Sequence, residues 1–358
     1  MTHNVLIIGA GVSGLSVALT LLQRGDQVTL LERGQVGAES SWAGGGILSP
    51  LLPWDYSSAV SALALRSMVA YPAWIKHIEA LSGLETEYWR CGMLAQDCAA
   101  TEATLAWCAE HDLACELIAA ATPASKPALR LPGIAQVRNP RLVAALLKAV
   151  KTLGGRVIEH AQVTALTTQS SRATGAVTAG ATYTADRIIL ASGAWAGTGL
   201  ENLPAVPNIR PVRGQMLLYK LEPGTLDTIL YRNGTYLIPR RDGHVLAGST
   251  LEDAGFDKST TAEAHDYLHG EASSMLPVLS DMKPVQQWSG LRPGSPDNIP
   301  VIDRHPDFDN VFVNTGHFRY GVTMAPASAE LLLDLMEGNM PSIDPAPYCW
   351  QAALARRW

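Results

Sequence analysis

Charge is scarce along this chain. Asp, Glu, Lys and Arg make up 17% of its 358 residues and the formal net charge is −6, a balance that offers no positive field to a polyanion and speaks against a nucleic-acid partner. Cysteine is sparse too. Cys91, Cys98, Cys108, Cys115 and Cys349 form an odd set with no CxxC pair, which argues against a disulfide framework or a zinc site and fits a reducing compartment. No metal centre is expected. Unbroken apolar runs are missing as well: residues 5–22 are interrupted by Gly9, Gly11, Gly14, Ser13, Ser16 and Thr20, so no membrane span is expected. The first strand opens within a few residues of Met1, leaving no room for a secretory leader, and a cytoplasmic protein is the expectation. No internal repeat or low-complexity tract stands out, and Arg356-Arg357 reads as a solvated end. The length exceeds a lone mononucleotide fold and suits about two domains or one interlocked α/β body.

What is present begins at once. Val5-Leu6-Ile7-Ile8 reads as a buried strand and runs directly into Gly9-Ala10-Gly11-Val12-Ser13-Gly14, where a glycine turn opens a helix. Gly9 allows the turn, Gly11 lets backbone approach a pyrophosphate, and Gly14 lets helix and strand pack closely. The helix N-terminus supplies unpaired N–H groups to the anion. A second strand at 27–31 ends on Glu32, placed to accept bonds from both ribose hydroxyls and to repel a 2′-phosphate. A dinucleotide site follows, with FAD and NAD both open on this ground alone.

The loop 34–53 carries Ser40-Ser41-Trp42-Ala43-Gly44-Gly45-Gly46-Ile47-Leu48. Three successive glycines suit a backbone that passes close to something flat or phosphorylated, with Ser40 and Ser41 as hydroxyl donors. Helices are expected at 57–81, 101–113, 139–153 and 261–275, and 119–132 reads as an uninformative Ala/Pro-rich connection. Short strands are expected at 156–159, 162–167, 173–177 and 187–190, the last leading into Ala191-Ser192-Gly193-Ala194-Trp195. From 212 to 251 the pattern turns β-rich, with Asp242-Gly243 as a hairpin signal and a further strand at 283–288. A last strand at 311–314, the glycine turn at 315–316 and a helix from about 321 to 335 close the series.

In this order GAGVSG, SSWAGGGIL, ASGAW, RPVRGQ (210–215), YLIPR (236–240), WSGLRPGSPDNIPVI (288–302) and GHFRYGVTMAP (316–326) resemble the D-amino acid oxidase family of flavoproteins, and its glycine-oxidising bacterial members most of all. The resemblance implies an α/β fold. A Rossmann-like FAD-binding domain (1–80, 140–210 and 300–345) would be interleaved with an α+β substrate-binding domain built on an antiparallel sheet (81–139 and 211–299). It implies FAD held by Gly9, Gly11, Val12, Ser13 and Gly14 at the phosphates, by Glu32, Arg33 and Val163 at the adenine end, and by Ser40, Ser41, Gly45, Gly46 and Ile47 toward the flavin. His317, Phe318, Arg319, Tyr320, Gly321, Val322 and Thr323 would lie where the late helix points its N-terminus at the flavin's pyrimidine edge, a favourable place for negative charge. Related sarcosine oxidases hold FAD through a late cysteine; residues 290–322 contain none, which implies non-covalent FAD.

For the chemistry, Arg292 is the expected clamp on the substrate carboxylate, since a guanidinium fork matches two oxygens. Tyr236 would reach the same carboxylate, and Arg319 either lines the site or forms a structural ion pair. His317 is expected to contact flavin through its backbone rather than act as a base, and Arg213 carries no assigned role. Ile47, Leu48 and Leu251 are the expected wall on the side-chain side. Leu251 stands where methionine is familiar and Gly234 replaces a larger polar residue, so sarcosine and D-alanine are expected alongside glycine. The implied reaction turns glycine into its imine, hydrolysed to glyoxylate and ammonia, with O2 reduced to H2O2; the imine could instead feed thiamine thiazole synthesis. A D-amino acid dehydrogenase, a sarcosine oxidase-like enzyme and a non-catalytic flavin module are the alternatives. Partners are a small amino acid and O2, with self-association into a homo-oligomer.

Overall fold

The computed structural model describes residues 2–98, 101–119 and 127–358. Its first strand, Asn4–Ile8, is almost wholly buried because it has a neighbour on either side. Ile8 pairs in parallel with both Leu31 and Leu190. The six-stranded sheet runs Val301–Arg304, Val311–Thr315, Arg187–Leu190, Asn4–Ile8, Gln27–Leu31, Arg156–Ile158. Only the Val301–Arg304 edge is antiparallel, so the interior strands can be apolar throughout.

Helices Val12–Gln23, Ser58–Ser82, Asn139–Thr152 and Gly321–Glu337 cover one face, sharing a core with Leu15, Leu63, Leu146 and Leu332. The other face packs Leu6 and Val313 against Leu166 and Ala176 of a three-stranded sheet, Val163–Gln169, Arg172–Thr178 and Thr182–Thr184. The first glycine turn obeys its expected logic. Gly9 has φ +105°, a Cβ there would sit 2.4 Å from Ala191 O, and one on Gly14 would sit 2.1 Å from Gly9 O, so neither position tolerates a side chain.

The second sheet has eight strands: Gln286–Gly294, Arg210–Lys220, His244–Gly248, Thr235–Pro239, Ile229–Arg232, Met93–Ala95, Ala128–Leu131 and Glu116–Ile118. Its pairs are antiparallel except Ile229–Arg232 beside Met93–Ala95, which is parallel. Helix Ala262–Met275 packs on it, burying Leu268 and Ala272 with Leu217, Leu237 and Ala247.

Three expectations need correction. The connection 119–132 includes the strand Ala128–Leu131, paired on both edges, while residues 120–126 lie outside the described ones. The strand expected at 283–288 runs instead through GLRPG to Gly294, because Arg210–Lys220 offers a partner along its whole length. The end of the chain is tied down: Asn208 Nδ2 donates to Ala353 O and Arg356 O, and the Arg210 guanidinium lies 3.7 Å from the centre of the Trp358 ring. Among the described residues no helix is long and apolar enough to cross a membrane, and no cluster of side chains could hold a metal ion.

Candidate active site

Between the two sheets lies a trough made of two cavities with empty volumes of about 1080 and 1260 Å³, open to solvent, which share Gly11, Ser40, Ser41, Ala191 and Gly193. At one end stands Glu32. Its carboxylate is fixed by backbone alone, Oε2 accepting from Ala10 N–H at 2.9 Å and Oε1 from Gly34 N–H at 3.0 Å. Val163 lines the same end. Arg33 stacks 3.3 Å from the centre of the Trp195 ring and pairs with Glu39 at 2.9 Å.

Midway, helix Val12–Gln23 starts with no side-chain cap and no acid in its first turn. Ser41 Oγ accepts from Val12 N–H and Ser13 Oγ donates to Asn314 O, both at 2.9 Å. The Asn314 amide is buried in the trough wall with neither its oxygen nor its nitrogen bonded. The sequence reading passed over Asn314, whose only signal was a polar residue ending a buried strand.

The triple-glycine loop is bare for a different reason than expected. A Cβ on Gly44 would meet Asn139 Nδ2 at 2.8 Å, on Gly45 Ile238 Cδ1 at 2.5 Å, and on Gly46, at φ +81°, Val137 O at 2.1 Å. All three directions lead into the protein. Backbone contact and positive φ demand glycine at Gly46, while Gly44 and Gly45 pack against side-chain ends of Asn139 and Ile238, and bare backbone lines the trough. Trp288 Nε1 donates to Ala43 O at 3.0 Å and Thr323 Oγ1 to Ile47 O at 3.0 Å, fastening both ends of the loop.

The far end is assembled by strand alternation. Side chains two apart share a sheet face, so Gly214 and Met216 lie on one face with Arg292, while Arg213 and Gln215 lie on the other. Registers Val212↔Arg292, Met216↔Gly248 and Tyr236↔Gly248 extend the first face across four strands. Gly214 makes the room for the guanidinium: a Cβ there would lie 2.0 Å from Arg292 Nη1. Arg292 Nη2 donates to Ser249 Oγ at 2.6 Å and Nη1 to Thr250 O at 3.2 Å. Among the described residues it has no carboxylate within salt-bridge distance. Burial holds its pKa below the ordinary range, the Tyr236 phenol opposing and the Arg319 charge reinforcing that fall. The Tyr236 hydroxyl donates to Met216 Sδ at 3.6 Å.

Arg213 is thereby explained. On the opposite face it pairs with Glu252 and Asp257, each at 2.6 Å, and it anchors the segment that presents Ser249 and Thr250 to Arg292.

The remaining candidates divide. Ile47, Phe318, Tyr320, Gly321, Val322 and Thr323 line the trough, as do Arg319, exposed at its mouth, and Gly234. His317 lines it too, but its Nε2 meets Ser328 Oγ at 3.0 Å and burial pushes its pKa down to about 4, leaving a neutral ring turned to the helix. Two wall residues are corrected. Leu48 is packed in the core, and Leu251 is 52% exposed outside the trough; Leu51, Met216 and Tyr236 stand with Ile47 instead. Gly214, Ser249 and Met216 were missed, and alternation in RPVRGQM was the available signal for the first and last.

The chain matches the family model described as FAD dependent oxidoreductase (DAO) over residues 4–335. It is 43% identical to the glycine oxidase of Pseudomonas aeruginosa, covering 97% of this chain and 98% of that protein. It is 33% identical to the bifunctional protein ThiO/ThiG of Synechocystis sp. over 94% of this chain, a stretch that makes up 52% of that protein. The crystal structure of glycine oxidase from Geobacillus kaustophilus superposes with a TM-score of 0.87 at 28% identity, covering 98% of this chain and 99% of that one.

Proposed function

The chain belongs to the family of FAD dependent oxidoreductases, and from that premise we propose that it oxidises glycine and other small amino acids or amines, sarcosine and D-alanine among them, with O2 reduced to H2O2. The trough fits FAD. Glu32 is held ready at one end, the N-termini of helices Val12–Gln23 and Gly321–Glu337, neither capped by the side chain of its own N-cap residue, border its middle, and bare Gly44–Gly46 backbone lies where a planar ring could approach. Gly9, Gly11, Val12, Ser13 and Gly14 would serve the phosphates, and Glu32, Arg33 and Val163 the adenine end. Segments 1–80, 140–210 and 300–345 would form the cofactor-binding part, and 81–139 and 211–299 the substrate-binding part. Bound FAD, without a covalent link, supplies the two-electron oxidising power.

The observation that carries the substrate class is Arg292. A half-buried guanidinium with a second guanidinium nearby and no carboxylate partner among the described residues is a site prepared for a carboxylate. Arg292 grips it, Tyr236 donates from the side, and Arg319 at the mouth adds attraction. The chain holds and orients; it supplies no side-chain base, since the trough is lined by no Asp, Glu or Lys near Arg292 and His317 is engaged with Ser328. Orientation then carries most of the catalysis. The product imine would hydrolyse to glyoxylate and ammonia or pass to a thiazole-forming partner, and self-association in the cytoplasm completes the proposal.

The test is to add glycine to the purified yellow protein without oxygen and follow the flavin absorbance, then admit air and measure peroxide. Bleaching followed by about one peroxide per glycine is expected. No bleaching by glycine, sarcosine or D-alanine would overturn the substrate class, and bleaching without peroxide would favour a dehydrogenase.

A further inference from the structure

Arg240 closes the YLIPR segment and is 5% exposed. Its guanidinium is bonded to neutral groups only. Nη1 donates to the Gln136 side-chain oxygen and, at 2.9 Å, to Val137 O; Nη2 donates to Gly45 O at 2.8 Å; Nε has no partner. The nearby carboxylates of Glu87 and Asp242 are taken by Arg138, at 3.1 and 2.9 Å. Burial lowers the Arg240 pKa to about 10, the Arg138 charge adding to the fall, so the side chain stays cationic at neutral pH.

Pinning three carbonyl oxygens requires donors, not charge. A buried cation with no carboxylate in direct contact, and with Glu87 and Asp242 opposing its burial only from beyond Arg138, is costly, and a neutral amide could have served the packing at less cost. The charge makes sense where something nearby becomes negative. Gly45, whose carbonyl Arg240 holds, lines the trough, and reduction of a flavin adds negative charge to its ring.

We propose that Arg240 is a positioning residue that fixes the glycine loop against the flavin through Gly45 and, by its buried charge, favours the reduced cofactor over the oxidised one. This rests on the FAD reading above. A purely structural role would weaken binding of both redox forms alike; the electrostatic role changes their ratio.

The experiment compares wild-type holoprotein with Arg240→Met and Arg240→Lys. It measures FAD dissociation by flavin fluorescence and the two-electron midpoint potential against an indicator dye. In Arg240→Met the affinity for reduced FAD should fall about tenfold more than that for oxidised FAD, which lowers the potential by about 30 mV. Arg240→Lys keeps the charge but not the fork, so it should bind oxidised FAD several-fold more weakly with the ratio nearly unchanged. A ratio within about twofold of wild type in a folded Arg240→Met, a shift of about 9 mV, overturns the proposal. So does a tenfold change in Arg240→Lys; if the Met variant does not fold, Arg240→Gln, which removes the charge but keeps an amide donor, must show the same fall in the ratio, and a ratio within about twofold of wild type there overturns the proposal as well. Wild type that takes up no FAD overturns both readings. FAD-loaded wild type that glycine leaves oxidised counts against the substrate reading, and the potentials still decide the role of Arg240.

Discussion

The two ends of the trough are built in opposite ways. The nucleotide end is local: residues 9–14 and the acid at 32 follow one another through strand, turn, helix and strand, and its contacts are mostly backbone. The end proposed to bind the carboxylate draws on Arg210–Lys220, Thr235–Pro239, His244–Gly248 and Gln286–Gly294, brought together by sheet register, and on the turn at 316–320. A backbone site can be recognised from spacing because it needs only a conformation. A side-chain site depends on which face of which strand each residue occupies, and hence on pairing partners far away in sequence.

If the two ends are independent, each can be damaged without the other. The largest effect is expected from Arg292→Ala, which removes the proposed partner of the substrate carboxylate. Losing one member of such a pair costs about 2–5 kcal/mol, or roughly 30- to several-thousand-fold in kcat/KM for glycine, while FAD stays bound. Steady-state kinetics with the flavin-to-protein ratio as control checks this. Activity within about threefold of wild type would move the clamp to Arg319.

Gly214→Ala tests the packing that seats the same guanidinium. Its Cβ would overlap Arg292 Nη1, and overpacking of this kind costs about 1–3 kcal/mol. We expect a roughly 5- to 150-fold fall in kcat/KM, by the same conversion, with the flavin spectrum little changed. Unchanged kinetics would mean that Arg292 does its work in another rotamer.

The smallest effect, and the complementary one, is expected from Glu32→Gln. Oε1 and Oε2 hold Gly34 and Ala10 N–H, and an amide keeps one acceptor while losing the charge. FAD affinity should fall about tenfold, about 1.4 kcal/mol, with kcat at saturating FAD unaltered. Titration of apoprotein with FAD measures it; a loss of kcat at full occupancy would show that the ends are coupled.

Much of this was legible beforehand, and the failures share a cause. Gly9, Gly14 and the helix at 12–23 followed from local sterics, and helix Ala262–Met275 from its periodicity. Leu48 and Leu251 were misplaced because being next to a site residue in sequence says nothing about facing the site. Gly45 and Gly46 were identified as close-approach residues and line the trough, but that their missing Cβ atoms would meet Ile238 and Val137, in segments about 90 to 190 residues away, could not be read from the loop. Arg213 and Arg292 look alike in sequence and sit on opposite faces of one strand pair.

Spacing and composition by themselves determined a dinucleotide-binding turn, an α/β body with a second sheet, and the absence of a strong charge field. These depend on backbone conformation and bulk burial, which a few neighbouring residues set. The tertiary structure alone decided that Gly214 opens the space Arg292 fills, that His317 turns to Ser328, that the Asn314 amide is buried without a hydrogen-bond partner among the described residues, and that Arg240 reaches Gly45. Each depends on which way a side chain faces and on what packs against it, and no local pattern carries that information.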